Sequence, residues 1–383
     1  MRIAVAKATL QIPPTYFAVQ HAMALHGRFD FRFFTSAGDV RDPEVEANLS
    51  IHDTSRTVPA LSGRSYPVRQ KAAPLLALNT ARAITRWGPD LIHQHFANLS
   101  GAAVRAHRSS GAPLLLTVHG ADVYLADADP ASRHGMARVL LPHHRRTVRR
   151  AFRDATSILA VSEYLAGRVI AAGADARKVD VHYQGIDTAL YTPTDVPDDS
   201  GPPRVVFIGA LSEAKGVRDL IAASTLVSRS APHRLVLAGD GPLRGVVDAA
   251  AAEHPHIDVL GSVDRARIRE ILDGACVLAL PTREWNGWRE AAGLVTLEAQ
   301  AMRVPVVVYD SGGAREMFDA ERTGLLVPEG DVAALADGIR TIVRMPSEEH
   351  RELGRRAREF VVAERSLARS AEQLARRYEN AAR

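Results

Sequence analysis

The sequence holds a single cysteine, Cys276, so no internal disulfide can form and the fold must rest on buried apolar surface. That cysteine lies in the run Cys276-Val277-Leu278-Ala279-Leu280 and reads as a core filler rather than a nucleophile. No stretch of about 18 uncharged apolar residues occurs, which excludes a membrane-spanning helix. The chain enters a buried strand at once, Arg2-Ile3-Ala4-Val5-Ala6, without the basic-then-apolar form of a signal peptide. A cytoplasmic protein is expected. Excess charge is also missing: a net +4 is too small to argue for nucleic acid. No tandem repeat or low-complexity block interrupts the chain.

What is present is the balance of a globular protein, 46% hydrophobic and 24% charged. A chain of 383 residues suits two domains of roughly 150 to 200 residues each. Short β-rich runs alternate with helical patterns throughout. The first half offers Arg2–Ala6, Phe29–Phe34, Leu91–His95, Pro113–Val118 and Ser157–Val161. The second offers Arg204–Ile208, Arg234–Leu237, His256–Leu260, Val277–Leu280 and Pro305–Val308. Strands apolar on both faces, with helices between them, predict two α/β parallel-sheet domains of Rossmann type. We place the first at residues 1–190, a Pro- and Asp-rich linker at 191–203, and the second at 204–360, with a helix at 361–383 packing back on the first. Two such sheets are expected to face a cleft, with ligands held by loops at their carboxyl ends.

Charge is distributed unevenly. Between Arg133 and Arg153 there are seven arginines, and the first acid is Asp154. The spacing 145/146/149/150/153 puts five on one helix face. It reads either as a solvated face or as a dock for anionic lipid headgroups or a phosphorylated acceptor, and so as a peripheral membrane contact.

Four loops of the second half carry chemistry. Gly209-Ala210-Leu211-Ser212-Glu213-Ala214-Lys215-Gly216 leads from a strand to a helix start, where phosphate is favoured and Lys215 adds charge. Ala238-Gly239-Asp240-Gly241-Pro242 and Gly261-Ser262-Val263-Asp264 are tight turns, the second a rest for a flat base or mere punctuation. The fourth runs from Pro281 to a helix starting near Gly293, with Glu290 ahead of it and Glu298 just over one turn inside. Two carboxylates thus flank the backbone N–H groups of Gly293, Leu294 and Val295. Taken alone, the pair is either a site for a nucleotide sugar or a surface residue and a buried cap. In the first half, His93 and His95 share a strand face near His119. A metal site there lacks a dedicated further ligand, so His119 reads as a hydrogen-bonding group and His93 as structural.

These residues together resemble the retaining, GT-B-fold glycosyltransferases of group 1, whose motif is Glu, seven residues, Glu. Here it is Glu290-(Ala-Ala-Gly-Leu-Val-Thr-Leu)-Glu298. Supporting pieces follow in the family's order: Gly209-Ala210-Leu211 with Lys215-Gly216, Ala238 to Pro242, the Gly261 turn, Pro305-Val306-Val307, Gly312-Gly313 with Glu316, and Gly324 to Pro328. The likeness covers about 150 residues densely and continues more loosely through His119-Gly120, Val161-Ser162 and Gly185-Ile186-Asp187.

The resemblance implies transfer of a sugar from a nucleotide-diphosphate donor to a hydroxyl acceptor, either a small natural product or a lipid-linked glycan or exopolysaccharide intermediate, without metal or other cofactor. Lys215 would neutralise the diphosphate, and Glu290 and His119 would meet the transferred sugar. Glu298 would hold the ribose, the backbone at Gly293, Leu294 and Val295 the phosphates, and the turn from Gly261 to Val263 the base. Gly209 and Ala210 complete the donor side. Ala210 stands where the family usually has arginine, and Arg289 or Arg283 is the expected substitute. Ala292 replaces a usual aromatic, and Thr9 to Tyr16 replaces a glycine-rich loop. Candidates on the acceptor side are Gln11, Tyr16, His95 and Asp122. Two other readings stay open: a non-catalytic sugar-nucleotide-binding protein, and a nucleotide-sugar epimerase on the same frame.

Overall fold

The computed structural model describes residues 1–127, 135–194, 201–320 and 322–382. Arg133 of the basic run and residues 195–200 of the expected linker lie outside them. Contacts divide the chain into two units: Met1–Gln184 with the segment from Leu367 onward, and Gly185–Ser366.

The strands of the first unit are β1 (Arg2–Ala6), β2 (Thr9–Ile12), β3 (Asp30–Thr35), β4 (Ala37–Val40), β5 (Ser50–Asp53), β6 (Leu91–His95), β7 (Leu114–Val118), β8 (Ser157–Ala160) and β9 (Val179–Val181). Seven form one parallel sheet in the order β5-β3-β1-β6-β7-β8-β9. Strands β6 and β7 are buried along their whole length, which is why they read as unbroken rather than alternating runs. The register sets His95 opposite Thr117 and leaves His119 just beyond β7. The helix Leu367–Ala381 belongs to this core: Leu374 and Tyr378 pack with Ile3, Val5, Leu91, Leu115 and Leu159. The stretch after β1, read from sequence as loop, begins with β2, which pairs in parallel with β4. Four residues burying only Leu10 and Ile12 are too few to show a period, and the partner lies 28 positions away.

The second unit runs through β10 (Arg204–Ile208), β11 (Arg234–Ala238), β12 (Ile257–Gly261), β13 (Val277–Leu280), β14 (Val306–Tyr309) and β15 (Gly324–Val327). They form a parallel sheet in the order β12-β11-β10-β13-β14-β15. Val205, Phe207, Leu235, Val277 and Val307 of the sheet are covered by Leu220, Ala223 and Val227 of the helix Val217–Ser228 and by Leu335, Ile339 and Ile342 of the helix Val332–Val343. Asp264 and Asp331 cap their helices by accepting the Arg267 and Ala334 amides at 2.8 and 2.9 Å. Cys276 packs against this core, and burial pushes its thiol up to about 11, far from thiolate chemistry at neutral pH.

Candidate functional site

In the second unit the chemistry gathers where loops leave β10, β13 and β14. Past β10 a single turn, Glu213–Lys215, ends at Gly216, whose φ of +65° suits glycine. A Cβ at Gly216 would stand 1.9 Å from the Pro281 carbonyl oxygen. Only a bare backbone lets the Lys215 turn lie against the end of β13. The Lys215 ammonium reaches the Glu290 carboxylate, and it sits 5.4 Å from the centre of the Trp288 ring. Glu290 is fixed from its other side by the turn after β14. The Gly313 amide donates to the Glu290 carbonyl at 2.8 Å, and a Cβ at Gly312 would come within 2.3 Å of that oxygen. Lysine and glutamate, 75 positions apart, are thus set by backbone contacts rather than by their own flexible stems.

The helix after Glu290 spans Val295–Ala301, so Glu298 is its fourth residue. The Thr296 amide donates to the Gly293 carbonyl at 3.0 Å, and those of Leu297 and Glu298 to the Leu294 carbonyl at 2.9 and 3.1 Å, so the amides at this entry that the helix does not use are those of Gly293, Leu294 and Val295. Thr296 turns its hydroxyl back to the Gly293 carbonyl at 2.8 Å and so fixes that entry. Glu298 is half-buried, and burial raises its carboxyl above the ordinary range. The Tyr191 hydroxyl and the Arg265 charge act against that rise. Neither residue was singled out from the sequence. Tyr191 is brought there by a turn in which Asp187 accepts the Ala189 and Leu190 amides at 2.9 and 3.0 Å, a pattern visible as Asp187 alone.

Ala210 is exposed at the mouth of the first loop, next to half-buried Gly209. Of the arginines expected to replace its missing charge, Arg283 lies 3.2 Å from Asp219 and Arg289 lies 3.6 Å from Glu329. Gly261 closes β12, its carbonyl accepting the Gly239 amide at 2.8 Å, and Val263 sits half-buried just before the Asp264 cap.

The first unit gathers histidines instead. His119 Nε2 lies 3.0 Å from His95 Nδ1, and the Gln184 amide nitrogen lies 3.2 Å from His119 Nδ1. With that amide donating, His119 carries its proton on Nε2 and gives it to His95. Phe96 and Phe17 flank the His119 ring at 4.5 and 4.7 Å. His93 stacks on His95 and bonds the Tyr378 hydroxyl at 2.6 Å and the Thr117 hydroxyl at 2.7 Å. His21 bonds the Ser370 hydroxyl at 2.8 Å, and His182 bonds the Ser370 carbonyl at 3.0 Å. Burial holds His21, His93 and His95 well below the usual imidazole range, and holds His119 near about 3 and His182 near about 4. Lys7, also lowered by burial, to about 8, donates to the Thr9 carbonyl and lies 5.4 Å from the Phe96 ring centre.

Asp122 is fully buried, and its carboxylate accepts the amides of Ala97, His119 and Gly120 at 2.8, 3.1 and 3.0 Å. It shapes the turn that carries His119. Gln11 is exposed on β2, and the Tyr16 hydroxyl donates to Asp42 at 2.8 Å. Among the described residues no group of three His, Cys, Asp or Glu side chains is placed to hold a metal ion, and no helix is long and apolar enough to cross a membrane.

Two family models match the chain: glycosyl transferases group 1 over residues 202–345 and glycosyltransferase family 4 over residues 15–190. The alpha-maltose-1-phosphate synthase of Mycolicibacterium smegmatis is 31% identical over 345 residues, covering 82% of this chain and 84% of that one. A putative colanic acid biosynthesis glycosyltransferase of Escherichia coli, WcaL, is 26% identical over 310 residues, with 79% and 73% covered. Among solved structures, Anabaena Alr3699/HepE in complex with UDP and glucose superposes with a TM-score of 0.75 at 20% identity, covering 99% of this chain and 100% of that one. The sucrose-phosphate synthase of Thermosynechococcus elongatus gives 0.77 at 21%, covering 99% and 98%. These structural likenesses establish the GT-B fold.

Proposed function

The chain belongs to the glycosyl transferases of group 1, and from that premise we propose that it moves a sugar from a nucleotide-diphosphate donor to a hydroxyl, with retention at the anomeric carbon. The observation that carries this is the Lys215–Glu290 pair, held by Gly216 and Gly312 and lying against the backbone at Gly293. A diphosphate arriving there takes over the ammonium that Glu290 now holds, and frees the carboxylate to accept from sugar hydroxyls. Glu298 accepts from the ribose diol, at a depth where burial sharpens the bond. When the anomeric C–O bond breaks, its electron pair passes to the diphosphate, and Lys215 with the backbone amides of Gly293, Leu294 and Val295 stabilises that charge. The acceptor oxygen bonds the same carbon on the same face, and its proton passes to a phosphate oxygen. No step calls for a metal, because lysine and backbone dipoles supply the positive charge.

Two relatives carry the names putative colanic acid and putative teichuronic acid biosynthesis glycosyltransferase, so a polysaccharide intermediate is the acceptor class to test first. The structure of a neighbour with UDP makes uridine donors the first probes. The experiment supplies UDP-sugars with a panel of acceptors and reads the anomeric configuration of the product. Lys215→Ala and Glu290→Ala should each lower transfer by about 10² to 10³ while leaving the melting temperature near that of the parent. Near-parental turnover in either variant would remove that residue from the mechanism. Tight donor binding with no nucleotide release from any acceptor would mark a binding protein instead, and epimer formation from donor alone would mark an epimerase.

A further inference from the structure

The first unit carries a feature that sugar transfer does not use. A groove of ≈ 990 Å³ runs along the helix Gly135–Asp154 and the turn at Ala171, Ala172 and Gly173. Cations dominate its polar lining: Arg145, Arg146, Arg149, Arg150, Arg153 and Lys178. Among the described residues no carboxylate lies within ion-pair distance of Arg146, Arg149 or Arg150. Arg153 is 3.9 Å from Asp154, but that carboxylate is held at 2.7 Å by Arg108. The one acid lining the groove, Asp175, is engaged by Arg177 at 2.7 Å. Arg146, Arg149 and Arg150 therefore form an uncompensated positive stretch of this groove among the described residues.

Its layout distinguishes two kinds of anion. A built pocket for a single phosphate converges buried donors on one point. Here Arg146, Arg149, Arg150 and Arg153 are all exposed and strung along about two turns, a reach of roughly 10 Å. At 3.6 residues per turn, Val139 falls on the same line as Arg146, Arg150 and Arg153, and it is 70% exposed. Pro142 on that face is also exposed, whereas Leu141, Val148, Ala151 and Phe152 on the opposite face are buried. A soluble anion has no use for a bare valine at the head of an arginine row. A bilayer does: headgroup phosphates meet the guanidinium groups, and the apolar side chain enters the boundary beneath them.

We propose that this face of the first unit docks the protein on an anionic lipid bilayer. Arginines near such a surface act cumulatively, and attraction falls off within the screening length of the salt. Vesicles of phosphatidylcholine alone, and vesicles with phosphatidylglycerol added, are sedimented with the full chain at low and raised salt. Binding is expected only to the anionic vesicles and should weaken as salt rises. The triple variant R146E/R149E/R150E should lose at least about tenfold in partitioning, with its melting temperature retained. Should that variant not fold, R146Q/R149Q/R150Q should lose binding in the same direction. No sedimentation with anionic vesicles at low salt, or equal binding by the folded variants, overturns the proposal. So does displacement of the protein by inorganic pyrophosphate at matched ionic strength, which would mark a discrete phosphate site instead.

Discussion

In the second unit the groups assigned to the donor meet partners of opposite charge, Lys215 with Glu290, Arg283 with Asp219 and Arg289 with Glu329. In the first unit His21, His93, His95, His119 and His182 stand together, all driven toward neutrality by burial. One unit keeps charge available by placing it against half-open backbone. The other removes charge and connects what remains by hydrogen bonds. The difference follows from what each set must tolerate. A diphosphate needs cations that can exchange partners, whereas a core of imidazoles is stable only while none is protonated.

Acid should separate the two units most strongly. A histidine whose folded value lies below its unfolded value of about 6.5 binds protons in the unfolded chain first. Its stabilising effect is complete above that value and is lost as pH falls toward about 4 for His182 and about 3 for His119. Each such group forfeits at most about 1.4 kcal/mol per pH unit in that window. Glu298, raised by burial, has the opposite sign, because the folded second unit takes up its proton more readily. Proteolytic pulses between pH 7 and pH 5, with the cuts mapped by mass spectrometry, should show the first unit opening ahead of the second. Simultaneous opening would erase the contrast.

A smaller effect should follow from Gly312→Ala. Its φ of +60° and a contact of 2.3 Å to the Glu290 carbonyl leave no room for a methyl group. Transfer should fall about 100-fold through displacement of Glu290, equivalent to about 2.7 kcal/mol, with the first unit's stability unchanged. Wild-type kcat in that variant would show that Glu290 tolerates movement. Smaller again, Tyr378→Phe removes the hydroxyl that His93 bonds at 2.6 Å and leaves a buried nitrogen unpaired. It should cost the first unit about 1 to 3 kcal/mol in denaturant titration and leave donor affinity in the second untouched.

The same contrast explains what could be read from the sequence. The loops we propose for the donor stood out in the sequence because their determinants are local: Lys215-Gly216 after a strand, Glu290 eight positions before Glu298, and Gly312-Gly313 after another strand. Each loop needs particular small or charged residues at fixed offsets, so composition reports geometry. The partners that complete it were not legible. Tyr191 approaches Glu298 across 107 positions, with no motif to announce it. In the first unit nearly every informative contact is long-range, Tyr378 to His93, Ser370 to His21, Gln184 to His119. Asp122 illustrates the limit: a polar residue beside His119 reads as a ligand contact, yet its oxygens hold three backbone amides.

The helix Leu367–Ala381, which closes the first unit's core, also reverses the order in which a nascent chain can finish its parts. Domains ordinarily complete from the N-terminus as synthesis proceeds. Here everything the second unit needs, Gly185–Ser366, has been made before Leu374 and Tyr378 exist. Until then Ile3, Val5, Leu91 and Leu115 lack part of their cover, and His93 waits for its hydroxyl partner. On the ribosome the first half to be translated is therefore the last to mature.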